Sequence, residues 1–233
     1  MVSGTGEDLL AVWGTSPSDI YAVGDRGVKL HYDGTEWSRV AGAGENLLGV
    51  WGASPSDVYA VGSTGTIVHF DGTSWTLVLR VPEIVGGFGL TGVWGTSSSN
   101  IYAVGDVGTV LHYDGIGWSE MESGTESNFQ AVWGTSPTDV YAVGGVTIAH
   151  YDGIGWNATT RSLDPRSFEL TGVWGSSASD VYAVEFQRGS ILHYDGTDWA
   201  EMVGQGGLRA VWGAPSGNVF AVGENGAILR GSR

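Results

Sequence analysis

Five histidines fall at one place in a repeating pattern: His31, His69, His112, His150 and His193, each directly before Tyr-Asp or Phe-Asp. Histidine near a carboxylate is the pairing used for proton transfer and metal ligation. A catalytic histidine, however, is single and has partners of its own, whereas five equivalent ones describe a position in a repeated strand. The sixth copy carries Arg230 at that place. Two carboxylate sets recur just as regularly. One lies in Asp-Gly-x-x-Trp segments, at Asp33, Asp71, Asp114, Asp152 and Asp195. The other closes TSPSD-type turns, at Asp19, Asp57, Asn100, Asp139, Asp180 and Asn218. Proline presets φ for a turn and Asp or Asn bonds local backbone donors, so these residues read as turn chemistry rather than repeated metal sites. The chain has no cysteine, which removes thiolate ligands, cysteine nucleophiles and disulfides together. No phosphate loop, zinc motif or nucleophile elbow is present. The sequence predicts no catalytic residue, no metal and no cofactor.

Side chains that depart from the pattern are the better candidates for binding. Phe186, Gln187 and Arg188 sit in a one-residue insertion, Glu185-Phe186-Gln187-Arg188, and have no counterpart in the other copies. Arg161, Arg166 and Phe168 lie in one long connection, and Phe88 ends another. Phe88 and Phe168 also precede Leu90 and Leu170 at strand spacing, which suits a lengthened strand. Phe129 aligns with Leu9, Leu47, Leu90, Leu170 and Leu208 and is expected in the core.

The elements that position these residues follow from six copies of Val-Trp-Gly, with tryptophans at Trp13, Trp51, Trp94, Trp133, Trp174 and Trp212. A period near 40 residues marks one supersecondary unit copied along the chain. Each copy reads as four short strands, A to D, separated by Gly, Pro, Ser and Asp clusters, as in LLAVWG, IYAVG, VKLHYD and EWSRV. Runs such as Ile20-Tyr21-Ala22-Val23 are continuously apolar, which suits a strand covered on both faces. The strand-A Trp precedes the strand-B aromatic by 8 residues in all six copies, and the strand-C aromatic precedes the strand-D Trp by 5 in all five complete ones. In an antiparallel meander the A–B and C–D turns share one rim, while the B–C and D–A loops share the other. The first rim is fixed to the residue. The second varies in length, losing a residue at Gly144-Gly145-Val146 and gaining one at Glu185 to Arg188.

The Asp-Gly-x-x-Trp turn resembles a shortened Asp-box turn of BNR-type propeller repeats. The wider Val-Trp-Gly…Val-Tyr-Ala-Val-Gly…His-Tyr-Asp-Gly…Trp pattern resembles multi-repeat propellers of secreted bacterial proteins. More distantly it is similar to the BNR-like propellers of photosystem assembly and to tectonin-type propeller lectins. The resemblance covers essentially the whole chain and implies a secreted or cell-surface protein whose leader lies outside this sequence. Sialidases also use Asp-box propellers, and their likeness would imply converging arginines with a Tyr/Glu pair. Arg26, Arg80, Arg161, Arg166, Arg188 and Arg209 are scattered instead.

The fold expected is all-β: a six-bladed β-propeller of four-stranded antiparallel blades, with repeats at about 9–46, 47–89, 90–128, 129–169, 170–207 and 208–233 in a single domain. A sixth strand-D Trp would fall beyond Arg233, so the sixth blade is expected to be incomplete. Met1-Val2-Ser3-Gly4 aligns with Met121-Glu122-Ser123-Gly124 and would supply a short stub. A formal charge of −15 disfavours nucleic acid and membrane surfaces as partners. The leading expectation is a non-catalytic, lectin-like module for carbohydrate. The alternatives are a protein-interaction platform on the variable rim, or a structural repeat with no ligand. The chain is expected as a monomer, or as a dimer that closes the incomplete blade.

Overall fold

The computed structural model describes residues 3–40, 44–80, 89–160, 169–202, 204–214 and 217–232. The fold is a six-bladed β-propeller, with five antiparallel sheets of four strands and one of three. Sheet 1 holds β1 (Leu9–Ser16), β2 (Asp19–Gly24), β3 (Lys29–Tyr32) and β4 (Trp37–Arg39). Sheet 2 holds β5 (Leu47–Ser54), β6 (Asp57–Gly62), β7 (Thr66–Phe70) and β8 (Trp75–Arg80). Sheet 3 holds β9 (Leu90–Ser97), β10 (Asn100–Gly105), β11 (Val110–Tyr113) and β12 (Trp118–Glu120). Sheet 4 holds β13 (Ala131–Ser136), β14 (Asp139–Gly144), β15 (Thr147–Tyr151) and β16 (Trp156–Thr160). Sheet 5 holds β17 (Leu170–Ser177), β18 (Asp180–Glu185), β19 (Ile191–Tyr194) and β20 (Trp199–Met202). Sheet 6 has only β21 (Leu208–Gly213), β22 (Asn218–Gly223) and β23 (Ile228–Ser232). Sheets 1 to 3 belong to one compact unit and sheets 4 to 6 to another.

The two invariant spacings are cross-strand pairs. Trp13 stands opposite Tyr21, and the same pairing recurs in every sheet down to Trp212 opposite Phe220. Tyr32 stands opposite Trp37, Phe70 opposite Trp75, and Tyr194 opposite Trp199. A tight turn admits one register, and a one-residue slip would turn every side chain to the other face, so the spacing cannot drift. The continuous apolar strand-B runs are covered on both sides: Val58, Tyr59, Ala60 and Val61 are all buried. Phe129 is buried as the alignment with the leucines requires.

Within each unit, one sheet locks onto the next through the Val-Trp-Gly tripeptide. The Trp13 ring lies where a Cβ on Gly52 would meet it at 2.5 Å, and the Trp51 ring would meet one on Gly95 at 2.8 Å. In the second unit Trp133 covers Gly175 and Trp174 covers Gly213. Around these contacts Tyr21, Val23, Leu47, Val50 and Val58 form one core cluster. Tyr141, Val143, Leu170, Val173 and Val181 form the matching cluster in the second unit. The end sheets show what the contact does. Val12 in sheet 1 is 68% exposed against 8% for its counterpart Val50, and Trp212 in sheet 6 is 57% exposed.

The fixed rim is held turn on turn. Asp33 accepts the backbone N–H groups of Thr35 and Glu36 and the Thr35 hydroxyl, at 2.8, 3.0 and 2.6 Å. Asp71 and Asp195 repeat the arrangement with Thr73 and Thr197. Gly34 takes φ +97° in this turn, and a Cβ on it would stand 2.6 Å from the Ser18 Cβ in the A–B turn. Gly72, Gly115, Gly153 and Gly196 press in the same way on Ser56, Ser99, Thr138 and Ser179. The C–D turn therefore rests on the A–B turn in each complete sheet, and neither can gain a residue.

The N-terminal segment copies a D–A connection. Ser3 donates to the Thr5 carbonyl and the Glu7 N–H donates to the Thr5 hydroxyl. Ser123, Thr125 and Ser127 make the same pair of bonds, and Gly4 and Gly124 share φ near +72° and +74°. The expected alignment is thus visible in local geometry, although Met1 and Val2 lie outside the described residues and 3–8 form no strand. Gly34→Ala combines a left-handed φ with a collision and should lower unfolding free energy by about 1–3 kcal/mol. Gly117→Ala meets nothing within 4 Å and should be nearly neutral. Denaturant unfolding of both variants checks this, and equal effects would contradict the turn-on-turn packing.

Candidate functional site

The repeated histidines pair with the repeated A–B carboxylates, which the sequence shows only as two separate motifs. His31 Nε2 lies 2.7 Å from Asp19 Oδ1, and His69, His150 and His193 meet Asp57, Asp139 and Asp180 at 2.6 to 2.8 Å. Each ring stacks on its cross-strand tyrosine, as Tyr59 on His69 with centroids 4.3 Å apart. The expectation that these aspartates serve local backbone donors is corrected: their partners are the histidine and, at Asp19, Asp139 and Asp180, the hydroxyl of Thr15, Thr135 or Ser176, whereas Ala53 offers Asp57 none. In sheet 6 the pair becomes Arg230 donating twice to Asn218 Oδ1, at 3.0 and 2.8 Å. An Arg–Asn pair fills the place of a His–Asp pair, so the position needs a bridge between two strands rather than a proton.

The tyrosines beneath are equally unsuited to proton transfer near neutrality. Burial, with the Asp19 charge adding to it, pushes the Tyr21 hydroxyl up to about 12, and that hydroxyl donates to the Pro55 carbonyl of the next sheet at 2.8 Å. Tyr59 is raised to about 12 in the same way. Among the described residues, no group of three or more His, Asp and Glu converges to hold a metal ion. The lone lysine, Lys29, is buried. It donates to the Gly27 carbonyl at 3.1 Å and lies over the Trp75 ring, and burial lowers its pKa.

The variable rim of the second unit offers a different surface. The short turn of sheet 4, Gly144-Gly145-Val146, carries Gly145 at φ +52°, with nothing within 4 Å of where its Cβ would stand. Across from it, the long turn of sheet 5 is tied down by Glu185. This carboxylate stands where five sheets have glycine, is fully buried, and accepts the N–H groups of Gln187 and Arg188, both at 2.7 Å. Between the short turn and the long one lies a cleft of about 530 Å³, with Glu126, Asn128, Gln130, Glu169 and Gln187 among its walls. Two carboxylates and three amides line it, and no cation does so among the described residues.

Of the seven residues expected to bind, Gln187 lines this cleft. Phe186 is half-buried, with the Arg209 guanidinium 4.2 Å over its ring and held there by Glu224 at 2.6 Å. Arg188 is exposed beside Gln187. Arg161, Arg166, Phe168 and Phe88 lie outside the described residues. Glu126, Asn128, Gln130 and Glu169 were not anticipated. The signal pointing to them was the missing residue at Gly145, which opens the cleft as much as the insertion borders it.

No protein-family model matches the chain, and no curated protein does. Solved structures show the fold. The chain is similar to YCF48 bound to D1 peptide, at 14% identity, covering 99% of this chain and 93% of that one, with a TM-score of 0.59. It is similar to the β-propeller domain of Cps50 (Swd1) from Myceliophteria thermophila, at 12% identity, 99% and 85% coverage and a TM-score of 0.76. A third is a catalytically inactive virginiamycin B lyase from Staphylococcus aureus with quinupristin, at 9% identity, 98% and 85% coverage and a TM-score of 0.75. A binding protein and a lyase on one scaffold fix the architecture and leave function to the site.

Of the five histidines, His112 alone faces an asparagine in place of the aspartate, which gives a pH test. In sheet 3 the Thr96 hydroxyl donates to Asn100 Oδ1, which leaves the Asn100 amide N–H to donate to His112 Nε2 at 2.9 Å. Burial lowers the His112 pKa against a smaller opposing pull from Asp114. The neutral ring is favoured in the fold, so its stabilisation is present above the ordinary histidine range and is lost as pH falls through the lowered value. Asn100→Asp should raise the His112 pKa, read by NMR titration of the ring. No upward shift would contradict the assigned bond.

Proposed function

We propose that this chain is a non-catalytic recognition module that takes a segment of a partner protein in the sheet 4–5 cleft, with an arginine or lysine as anchor. The observation that carries this reading is the cleft itself, formed by the two turns that depart from the repeat in opposite directions. Loops free of the ring's packing demands are where a scaffold acquires partners. Glu126 and Glu169 attract a cation, while Asn128, Gln130 and Gln187 accept or donate to a peptide backbone. The acidic chain as a whole steers a basic partner toward it.

Carbohydrate bound once per blade has less support. Such binding needs repeated, available aromatic faces, and here the tyrosines stack on histidines within their sheets and meet the strand-D tryptophans of the next sheet edge-on. YCF48 bound to D1 peptide supplies a fold-level precedent for a peptide ligand, said of that protein alone.

A displayed random-peptide library selected on the immobilised chain should yield binders rich in Arg and Lys, weakened by added salt. The double variant Glu126→Lys with Glu169→Lys should reduce their affinity at least about tenfold, with an unchanged unfolding curve. Neutral binders that ignore the double variant, or a glycan array with strong hits, would overturn the reading.

A further inference from the structure

The chain has one lysine, and it stands where the repeat calls for a branched apolar side chain. Two residues before the strand-C histidine or its counterpart, sheets 2 to 6 carry Ile67, Val110, Ile148, Ile191 and Ile228, whereas sheet 1 carries Lys29. Lys29 is nonetheless only 2% exposed. It lies at the seam between sheets 1 and 2, where Tyr21, Val23, Leu47 and Val58 form an apolar cluster with Val68 and Trp75 packed on it.

A buried ammonium ordinarily has a carboxylate beside it. Lys29 has none among the described residues. Its Nζ donates to the Gly27 carbonyl at 3.1 Å and lies 5.8 Å from the centre of the Trp75 ring. An ammonium has three N–H groups to place, so this bond leaves two. The charge that acts on it is that of Arg39, of like sign, which adds to the effect of burial in lowering its pKa. In other sheets strand D brings a carboxylate to this level: Glu120 stands opposite Leu111 in sheet 3, and Glu201 opposite Leu192 in sheet 5. In sheet 2 the same place, opposite Val68, holds Leu77.

A cavity of about 280 Å³ adjoins the ammonium, with Lys29, Thr66, Trp75, Leu77 and Arg80 among its walls. Its polar groups are mostly donors. Thr66 is buried, and the Trp75 indole N–H is buried without a hydrogen-bond partner. Trp118 shares the unpartnered indole, so the ammonium is what sets this seam apart. Glu45, the one carboxylate on the wall among the described residues, is paired with Arg80 at 3.4 Å.

We propose that this seam binds a small organic acid, with its single carboxylate on the Lys29 ammonium and its apolar body against Trp75, Val68 and Leu77. The charge-assisted bond fixes the acid group, and the indole with two aliphatic walls takes the hydrocarbon part. The volume, at the small end of ligand pockets, suits a ligand of that size. Charge narrows the choice further, because Glu45 on the wall and a net charge of −15 oppose a dianion. The site lies within sheets 1 and 2 and does not depend on the acidic cleft.

The test uses the whole chain with isotope-labelled lysine, whose side chain then gives a single NMR reporter. Isovalerate and phenylacetate should each move the Lys29 signal saturably and raise the unfolding midpoint. Phenylacetamide, of the same shape without the charge, should bind at least about tenfold more weakly than phenylacetate. By calorimetry, phenylacetate affinity should fall at least about tenfold in Lys29→Met, which restores an apolar side chain, and in Leu77→Glu, which supplies a carboxylate from the protein itself. Should either variant misfold, the amide decides the matter on the unaltered chain. An unmoved lysine signal, equal binding of acid and amide, inorganic phosphate binding as tightly as the acids, or full affinity in a folded Lys29→Met chain would overturn the proposal.

Discussion

Every sheet in each unit depends on one contact, the indole of a strand-A tryptophan lying over the glycine of the next Val-Trp-Gly. The ring comes so close to Gly52, Gly175 and Gly213 that no Cβ fits. A flat apolar surface is thus removed from water at every step, at about 25 cal/mol per Å² of area buried. The tripeptide is one device: valine fills the seam, tryptophan covers forward, and glycine receives the ring from behind. Its period sets the spacing of the blades, and the cross-strand tyrosine beneath each indole sets the register within them.

From this constraint the division between the two rims follows. The A–B and C–D turns press on one another through Gly34 and Ser18 and their counterparts, and Asp33, Asp71 and Asp195 are held down to about 2 by a threonine hydroxyl and two backbone N–H groups. Those carboxylates stay charged across any ordinary pH, so the turns act as fixed pegs. On the opposite rim nothing comparable forces one length. Sheet 4 drops a residue there, sheet 5 adds one, and Glu185 compensates by turning a buried carboxylate onto two freed N–H groups. The candidate cleft is the geometric consequence.

The sequence makes the sheets, their strands and the incomplete sixth sheet legible, because spacings of 8 and 5 are direct images of cross-strand pairs. Side-chain pairing is less legible. Asp19 and His31 are separated by a whole strand, and only the register that sets His31 opposite Tyr21 brings them together. Phe186 stands out in the sequence by lacking a repeat role, yet Arg209, 23 residues on, lies over its ring. The acidic cleft was half visible: its insertion could be read, but the opening left at Gly145 registers in the sequence only as a missing letter.

The indole-on-glycine contact is tested most directly by a double-mutant cycle on Trp174 and Gly213, where the nearest atoms to an added Cβ all belong to the Trp174 ring. Gly213→Ala alone should destabilise by about 1–3 kcal/mol. In a Trp174→Ala background the same change should cost close to nothing, giving a large coupling energy. Additive effects of the two substitutions, measured by denaturant unfolding, would contradict the account.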